Sequence, residues 1–406
     1  MKKIMVMGLG AQGSTIAKRL NDEPGVTRLV CADYDQKAVD EMGRTLSKAT
    51  AVRVNAKDID SIVKAADGVD LIVNALAPDY NMNVLEAALT VGACYQDMAS
   101  GPVSDLGFVD AVKRVLSLDE RFRKAGLSAL INTGSAPGFA NVMTRESVEK
   151  LDSCDRIEIF VYDGIWSNKF VPFWWSPETA FGDMAAQPIV FENGEFRRGK
   201  PFDNPVMVDF QGLGVRRMVD HEHEEPVTMG LLADKALKGV SYVNFKYGGP
   251  GLELAEYFYK MGLLSEDPVV VDGKEIIPMH LISRLTPPAP KYANEIQEVL
   301  DEGMKSEEGA FLVRVEGKKD GKSVRIDSYA GAPGLADSFR KSGLTHESYF
   351  TGQAAFLFTK LFLNDRINTK GVFPPEMLES SERSFYFAEA AKLDLTVDEF
   401  IETRLY

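Results

Sequence analysis

Histidine and cysteine are scarce in this chain of 406 residues, with four of the first and three of the second. Cys31, Cys94 and Cys154 are widely spaced and form no Cys-x-x-Cys or Cys/His grouping. Neither a disulfide framework nor a zinc site is indicated, and no metal is expected. Basic residues are also in deficit, because 46 lysines and arginines face 60 acids and leave a formal net charge of −14. That balance opposes phosphate backbones and anionic lipid surfaces, so neither nucleic acid nor membrane is an expected partner. No stretch approaches the roughly 20 apolar residues that span a bilayer. The apolar run after Met1-Lys2-Lys3 is broken at once by glycine and reads as a strand, not a signal peptide. A reducing, cytoplasmic location is the expectation. With 45% hydrophobic and 26% charged residues the make-up is otherwise globular, and the length suggests two domains.

What the sequence does have stands almost at its start. Gly8-Leu9-Gly10-Ala11-Gln12-Gly13 follows the apolar run Ile4-Met5-Val6-Met7, and Asp33 closes the next one, Leu29-Val30-Cys31-Ala32. Gly8 allows a tight turn out of a strand, Gly10 lets the backbone approach a pyrophosphate, and Gly13 lets the following helix pack close to a sheet. A helix over about 14–21 then aims its amide N–H groups at the phosphates. Asp33 lies about 20 residues beyond Gly13, where a carboxylate accepts hydrogen bonds from the adenosine ribose and repels a 2′-phosphate. NAD is therefore the expected cofactor; Lys37 and Arg44, close to Asp33, keep NADP open.

Over the first 140 residues short apolar runs alternate with helical stretches, the pattern of an α/β Rossmann domain with a parallel sheet. Six strands are expected, at 3–7, 29–32, 51–54, 70–74, 93–97 and 128–131. Ligands in such sheets sit at the carboxyl ends of the strands, which draws in Asn74-Ala75-Leu76, Asp58 after the third strand, and Tyr95-Gln96-Asp97. After Ser135-Ala136-Pro137-Gly138 a helix is expected at 139–151, and then β segments dominate, at 156–162, 187–191, 206–210 and 239–247. A hairpin over 310–328 turns at Lys319-Asp320-Gly321. This reads as an α+β substrate and dimerisation domain with a mixed or antiparallel sheet. A strongly apolar helix at 350–363 is expected to return to the first domain, giving boundaries of 1–138 with 345–406 and of 139–344.

Several stretches together resemble the saccharopine dehydrogenase-like family, which includes saccharopine reductases, lysine epsilon-dehydrogenases and carboxynorspermidine dehydrogenases. They are Gly8–Gly13 with Asp33, Asp70-Leu71-Ile72-Val73-Asn74-Ala75-Leu76, Gly92-Ala93-Cys94-Tyr95-Gln96-Asp97, Ala136-Pro137-Gly138, Met261-Gly262-Leu263-Leu264-Ser265, and Lys370-Gly371-Val372-Phe373-Pro374-Pro375-Glu376. The resemblance implies a homodimeric oxidoreductase that uses a nicotinamide cofactor at a C–N bond of an amino-acid-derived or polyamine substrate. Ala136 replaces the aspartate usual in saccharopine reductases and is closer to lysine epsilon-dehydrogenases. His221-Glu222-His223-Glu224-Glu225 departs in turn from the hydroxyl-rich segment expected of those.

Amine oxidation requires a docked ammonium, its deprotonation, and a C–H bond held near the cofactor. Asp97 is the first candidate for docking, with Tyr95 two residues away on the same strand face. His223 is a candidate proton acceptor and Glu225 an ammonium partner; in an extended segment His221 would share their face. Pro137 and Gly138 are expected to line the substrate. Trp174 and its neighbours Phe170, Phe173 and Trp175 suggest an apolar lid, and Arg216 a partner for a substrate carboxylate, with Arg217 and Arg284 as alternatives. A non-catalytic dinucleotide sensor is the competing reading. A hydroxy-acid dehydrogenase lacks its Tyr-x-x-x-Lys arrangement, since Ala99 stands four residues after Tyr95.

Overall fold

The computed structural model describes residues 1–404. The chain divides into two compact units, one formed by Met1–Glu146 with Ser348–Thr396, the other by Ser147–Glu347 with the residues from Val397 onward.

The first unit is a seven-stranded parallel sheet. Its strands are β1 (Lys2–Met7), β2 (Val26–Asp33), β3 (Ala49–Arg53), β4 (Leu71–Asn74), β5 (Cys94–Asp97), β6 (Ser128–Leu130) and the short Gly371–Phe373. Their lateral order is Gly371–Phe373, β6, β5, β4, β1, β2, β3. From β1 the chain builds outward through β2 and β3, then crosses to the far side of β1 for β4, so the winding reverses between β1 and β4. A crevice opens at such a reversal beyond the carboxyl ends of the strands. Helices cover both faces, so strand residues on both faces are apolar: Met5, Val30, Ile72 and Tyr95 on one face and Val6, Cys31, Val73 and Leu130 on the other are all buried.

The helix His346–Leu363 packs on this sheet, as its apolar run predicts. Gln96 donates to the Ala355 carbonyl at 2.8 Å, and Thr359 Oγ1 donates to Gln96 Oε1 at 2.9 Å. Gly352 is small for a reason: a Cβ there would stand 2.7 Å from Thr15 Cγ2 on the helix α1 (Ala11–Asp22).

The second unit carries a nine-stranded mixed sheet. It comprises β7 (Ser153–Ser167), β8 (Ile189–Glu192), β9 (Glu195–Arg198), β10 (Val206–Phe210), β11 (Gly214–Asp220), β12 (Tyr242–Gly248), and the strands Met304–Lys319, Lys322–Gly331 and Thr396–Arg404. β12 runs parallel to β7, and β7 runs antiparallel to Met304–Lys319. The hairpin turns where expected, with Asp320 and Gly321 both left-handed at φ 50° and 72°, the twist-matched turn favoured by Asp-Gly. Thr396–Arg404 joins this sheet beside Lys322–Gly331, so the tail does not stay wholly with the nucleotide fold as the boundary at 345–406 assumed.

Candidate active site

The glycine loop leaves β1 and opens α1. Gly8 sits at φ 85°, and a Cβ there would lie 2.8 Å from the Ala75 carbonyl oxygen. A Cβ on Gly13 would lie 1.8 Å from the Gly8 carbonyl oxygen, so helix and turn touch through backbone alone. Gly10, by contrast, has nothing within 4 Å of a Cβ position. The start of α1 has no side-chain cap and no acidic residue in its first turn. Free amides and positive dipole end, reached over an uncrowded Gly10, fit a pyrophosphate. Ala11 and Gln12 belong to that first turn, and Ala75 abuts Gly8 and Gly13.

Asp33 ends β2 with its carboxylate fixed, Oδ2 accepting from Leu9 N at 2.5 Å and Oδ1 from Asp35 N at 2.8 Å. It borders a cavity of about 390 Å³ lined also by Met7, Tyr34, Asn55, Lys57 and Leu76. The Arg53 guanidinium stacks on the Tyr34 ring at 4.6 Å and donates from Nε to the Tyr34 carbonyl at 2.9 Å. Asn55, Lys57 and Arg53 are absent from the sequence reading because nothing in their spacing marks them. Asp58, which was expected at the cofactor, instead caps the helix Ile59–Ala65, accepting from Asp60 N at 3.1 Å. Asn74 is not solvent-facing either: its Nδ2 donates to Asn81 Oδ1 at 2.8 Å and to Tyr95 Oη at 3.0 Å.

Tyr95 and Asp97 share a face of β5, as their spacing predicts, and the tyrosine hydroxyl donates to Asp97 Oδ2 at 3.0 Å. Asp97 Oδ1 accepts from Asn132 N at 2.8 Å. Burial raises the Asp97 carboxyl to about 7, against the opposing pull of those two donors. Both oxygens are thus occupied from within the fold, which makes Asp97 an anchor for the loop after β6. Pro137 follows a cis bond, and Gly138, at φ 133°, would place a Cβ 2.1 Å from the Gly134 carbonyl oxygen. Together they close a tight turn that opens the helix Phe139–Glu149.

In the second unit, β11 ends at Asp220 and the helix Glu225–Leu231 starts with Pro226 in its first turn. Residues 221–223 carry no regular structure, with His221 N still donating to the Phe245 carbonyl of β12 at 3.0 Å, and the chain bends at Glu224 into the helix that Pro226 favours. The bend still gathers charge. His223 Nδ1 pairs with Glu225 Oε2 and lies 3.6 Å from Glu224 Oε2. Burial alone would lower the His223 pKa, but the Glu225 carboxylate outweighs it and raises the value to about 9. Burial lifts Glu224 to about 8 and nearby Asp183 to about 7, each partly offset by His223. Glu225 is fully buried, and its Oε1 has no partner.

Aromatic rings flank this charge. The His223 ring stacks on Phe245 at 3.9 Å, and His221 lies 5.3 Å from the Tyr247 ring. Burial and the neighbouring His223 drive His221 down to about 3, a neutral imidazole. Tyr247 in turn donates to Asp163 at 3.3 Å, and Trp175 sits edge-on to Tyr247 at 6.0 Å. Burial raises Asp163 to about 7. His223, Glu224 and Glu225 bring their ligand atoms within 4.8 Å of one another, which would suit a cation, ammonium or metal alike.

Two expectations fail here. Trp174 is core and not lid: it is 4% exposed and packs with Val171, Ile296, Val299 and Leu335. Arg216 is committed to Glu308 at 2.9 Å and lies over the Tyr162 ring, so it is no free partner for a substrate carboxylate.

Residues 4–130 match the family model described as the saccharopine dehydrogenase NADP binding domain, and residues 134–387 match that of the saccharopine dehydrogenase C-terminal domain. The chain is 28% identical over 346 residues to a carboxynorspermidine synthase of Vibrio alginolyticus, covering 82% of this chain and 79% of that one. It is 21% identical over 391 residues to a carboxyaminopropylagmatine dehydrogenase of Synechocystis sp., covering 93% of each. Its fold is similar to that of saccharopine dehydrogenase (L-Glu forming) from Saccharomyces cerevisiae, with a TM-score of 0.70 at 12% identity, covering 99% of this chain and 100% of that one.

Proposed function

The chain belongs to the saccharopine dehydrogenase family of NAD(P)-dependent oxidoreductases acting on amine-containing substrates, and from that premise we propose that its own substrate is a carboxylated polyamine. The reaction is the interconversion of a secondary amine with the corresponding imine. The observation that carries this reading is the segment His221–Glu225, where Glu224, Glu225, His223 and Asp183 are gathered, with His223 stacked on Phe245 and His221 beside Tyr247, which Trp175 meets edge-on. Acids paired with aromatic faces recognise alkylammonium groups by charge and by cation–π attraction. The names of two relatives, a carboxynorspermidine synthase and a carboxyaminopropylagmatine dehydrogenase, support the same class.

The nicotinamide supplies or accepts the hydride when bound. Gly10 and the first turn of α1 would hold the pyrophosphate of the dinucleotide, with Gly8 and Gly13 shaping the loop, and Asp33 would take the adenosine ribose, which favours NAD over NADP. Glu224 and Asp183 hold ammonium groups and, with raised carboxyl pKa values, give up protons as those cations arrive. His223, kept protonated by Glu225, donates a proton to the substrate nitrogen in the reductive direction and takes one back in the other. A dimer formed through the second unit, where Met261, Val270 and Leu285 are exposed, and a cytoplasmic location belong to the same reading.

The test is reduced-nicotinamide absorbance with the purified protein. In the oxidative direction it is given carboxynorspermidine, saccharopine or L-lysine; in the reductive direction, diamines of three to five carbons with an α-amino acid bearing a terminal aldehyde. Turnover with the polyamine set is expected. Turnover confined to lysine or saccharopine overturns the substrate assignment, and tight dinucleotide binding without any turnover favours a sensor.

A further inference from the structure

Asn132 is fully buried, sits in the left-handed region at φ 61°, and has neither side-chain Nδ2 nor Oδ1 hydrogen-bonded. Among the described residues it is the one buried amide with both atoms unpartnered. The same unit satisfies its other buried asparagines with care. Asn74 is bonded to Asn81 and Tyr95, Asn81 donates to the Ala99 carbonyl at 2.7 Å, and Asn141 donates to Glu376 at 2.9 Å.

The residue is nonetheless held firmly. Its N–H is fixed by Asp97 Oδ1, and the next residue is pinned by two bonds to the Asp97 carbonyl, from Thr133 N at 2.9 Å and Thr133 Oγ1 at 2.6 Å. It follows β6, at the carboxyl edge of the parallel sheet where the cofactor of such folds lies. A buried donor and acceptor left open on one planar group call for a ligand that offers an acceptor and a donor in the same plane. We propose that Asn132 receives the carboxamide of the nicotinamide ring, amide against amide, and so fixes which face of the ring is presented. Asp97 is then a positioning residue that acts through the Asn132 backbone.

The binding experiment needs no substrate, so its result stands apart from the polyamine reading. Wild type, Asn132→Gly and Asn132→Asp are titrated with NAD, ADP-ribose and the 3-acetylpyridine analogue of NAD. Glycine suits the positive φ, and aspartate keeps the shape and the acceptor while removing the donor. Two neutral hydrogen bonds at about fivefold each predict that Asn132→Gly weakens NAD by roughly 10- to 30-fold and leaves ADP-ribose within about twofold. Wild type should prefer NAD to the acetylpyridine analogue, which lacks the amide donor, and the glycine variant should lose that preference. Asn132→Asp should also weaken NAD selectively. An equal loss of NAD and ADP-ribose in both variants, or no loss of NAD in either, overturns the proposal.

Discussion

Replacing Gly10 and Gly13 in turn by alanine should separate the two duties of the glycine loop. At Gly13 the new Cβ would stand 1.8 Å from the Gly8 carbonyl oxygen and 3.1 Å from Ala75 Cβ. Relief requires α1 to withdraw by more than about 1 Å, and overpacking of that kind costs roughly 1–3 kcal/mol. The melting temperature of the cofactor-free protein should fall by about 2–4 °C for each of those kcal/mol. Gly10 is different, because nothing lies within 4 Å of its Cβ position and its φ of −67° is open to alanine. Alanine is a slightly poorer cap than glycine but restricts the unfolded chain, and two effects of a few tenths of a kcal/mol nearly cancel. The cofactor-free protein should therefore melt within about 2 °C of wild type, while a methyl group occupies the space a pyrophosphate would enter. Loss of charge-assisted hydrogen bonds worth about 1.5–3 kcal/mol weakens dinucleotide binding by roughly 10- to 100-fold. Calorimetric titration with NAD and NADP, beside thermal melts without them, reads both quantities. If Gly10→Ala binds the dinucleotide as wild type does, the loop is not the pyrophosphate seat.

The amine KM should fall as pH rises from 6 to 9. Glu224 at about 8 and Asp183 at about 7 carry protons at the acid end and ionise on the way up, and His223 at about 9 loses its repelling charge near the top; Glu224→Gln should flatten that profile, and a KM rising with pH would contradict the ammonium role. Asp33→Ser should raise the NADP-to-NAD preference by removing a charge that repels a 2′-phosphate, checked as the ratio of the two Kd values. Tyr95→Phe deprives Asp97 of one donor and Asn74 of one acceptor, so it should cost about 1–3 kcal/mol in denaturant unfolding. Lys246→Met leaves Asp220 charged in a site where it is almost fully buried, and urea titration should show a loss of about 3–5 kcal/mol, only partly offset by Asn204 and Asn244.

The nucleotide fold was readable because its signals are local. An apolar run, a glycine turn, an amphipathic helix and an acid recur within some 30 residues, and the six expected strands fall on β1 to β6. Gly371–Phe373 escaped as a strand because three residues carry no periodicity and its partner β6 lies far back in the chain. Thr396–Arg404 escaped because its polar residues disguise the alternation of a strand that borders only Lys322–Gly331. The acidic cluster was legible from its residue types and two-residue spacing, and Pro226 directly after Glu225 was the signal that a helix begins there. Trp174 and Arg216 were chosen by residue type, and type does not reveal that one is packed in a core and the other ion-paired. Asn132 was passed over, although Asn-Thr-Gly after a strand marks a place where a left-handed residue is tolerated.

Because the parallel sheet ends on Gly371–Phe373 and is roofed by the helix His346–Leu363, its last strand is made some 240 residues after β6. A ribosome would thus release β1 to β6 long before their edge is covered. Most of the mixed sheet is synthesised in that interval and can nucleate on the hairpin of Met304–Lys319 with Lys322–Gly331, a local pairing that closes quickly. The exposed side of β6 meanwhile presents an unpaired strand edge to the cell, and chaperone demand should peak during that window.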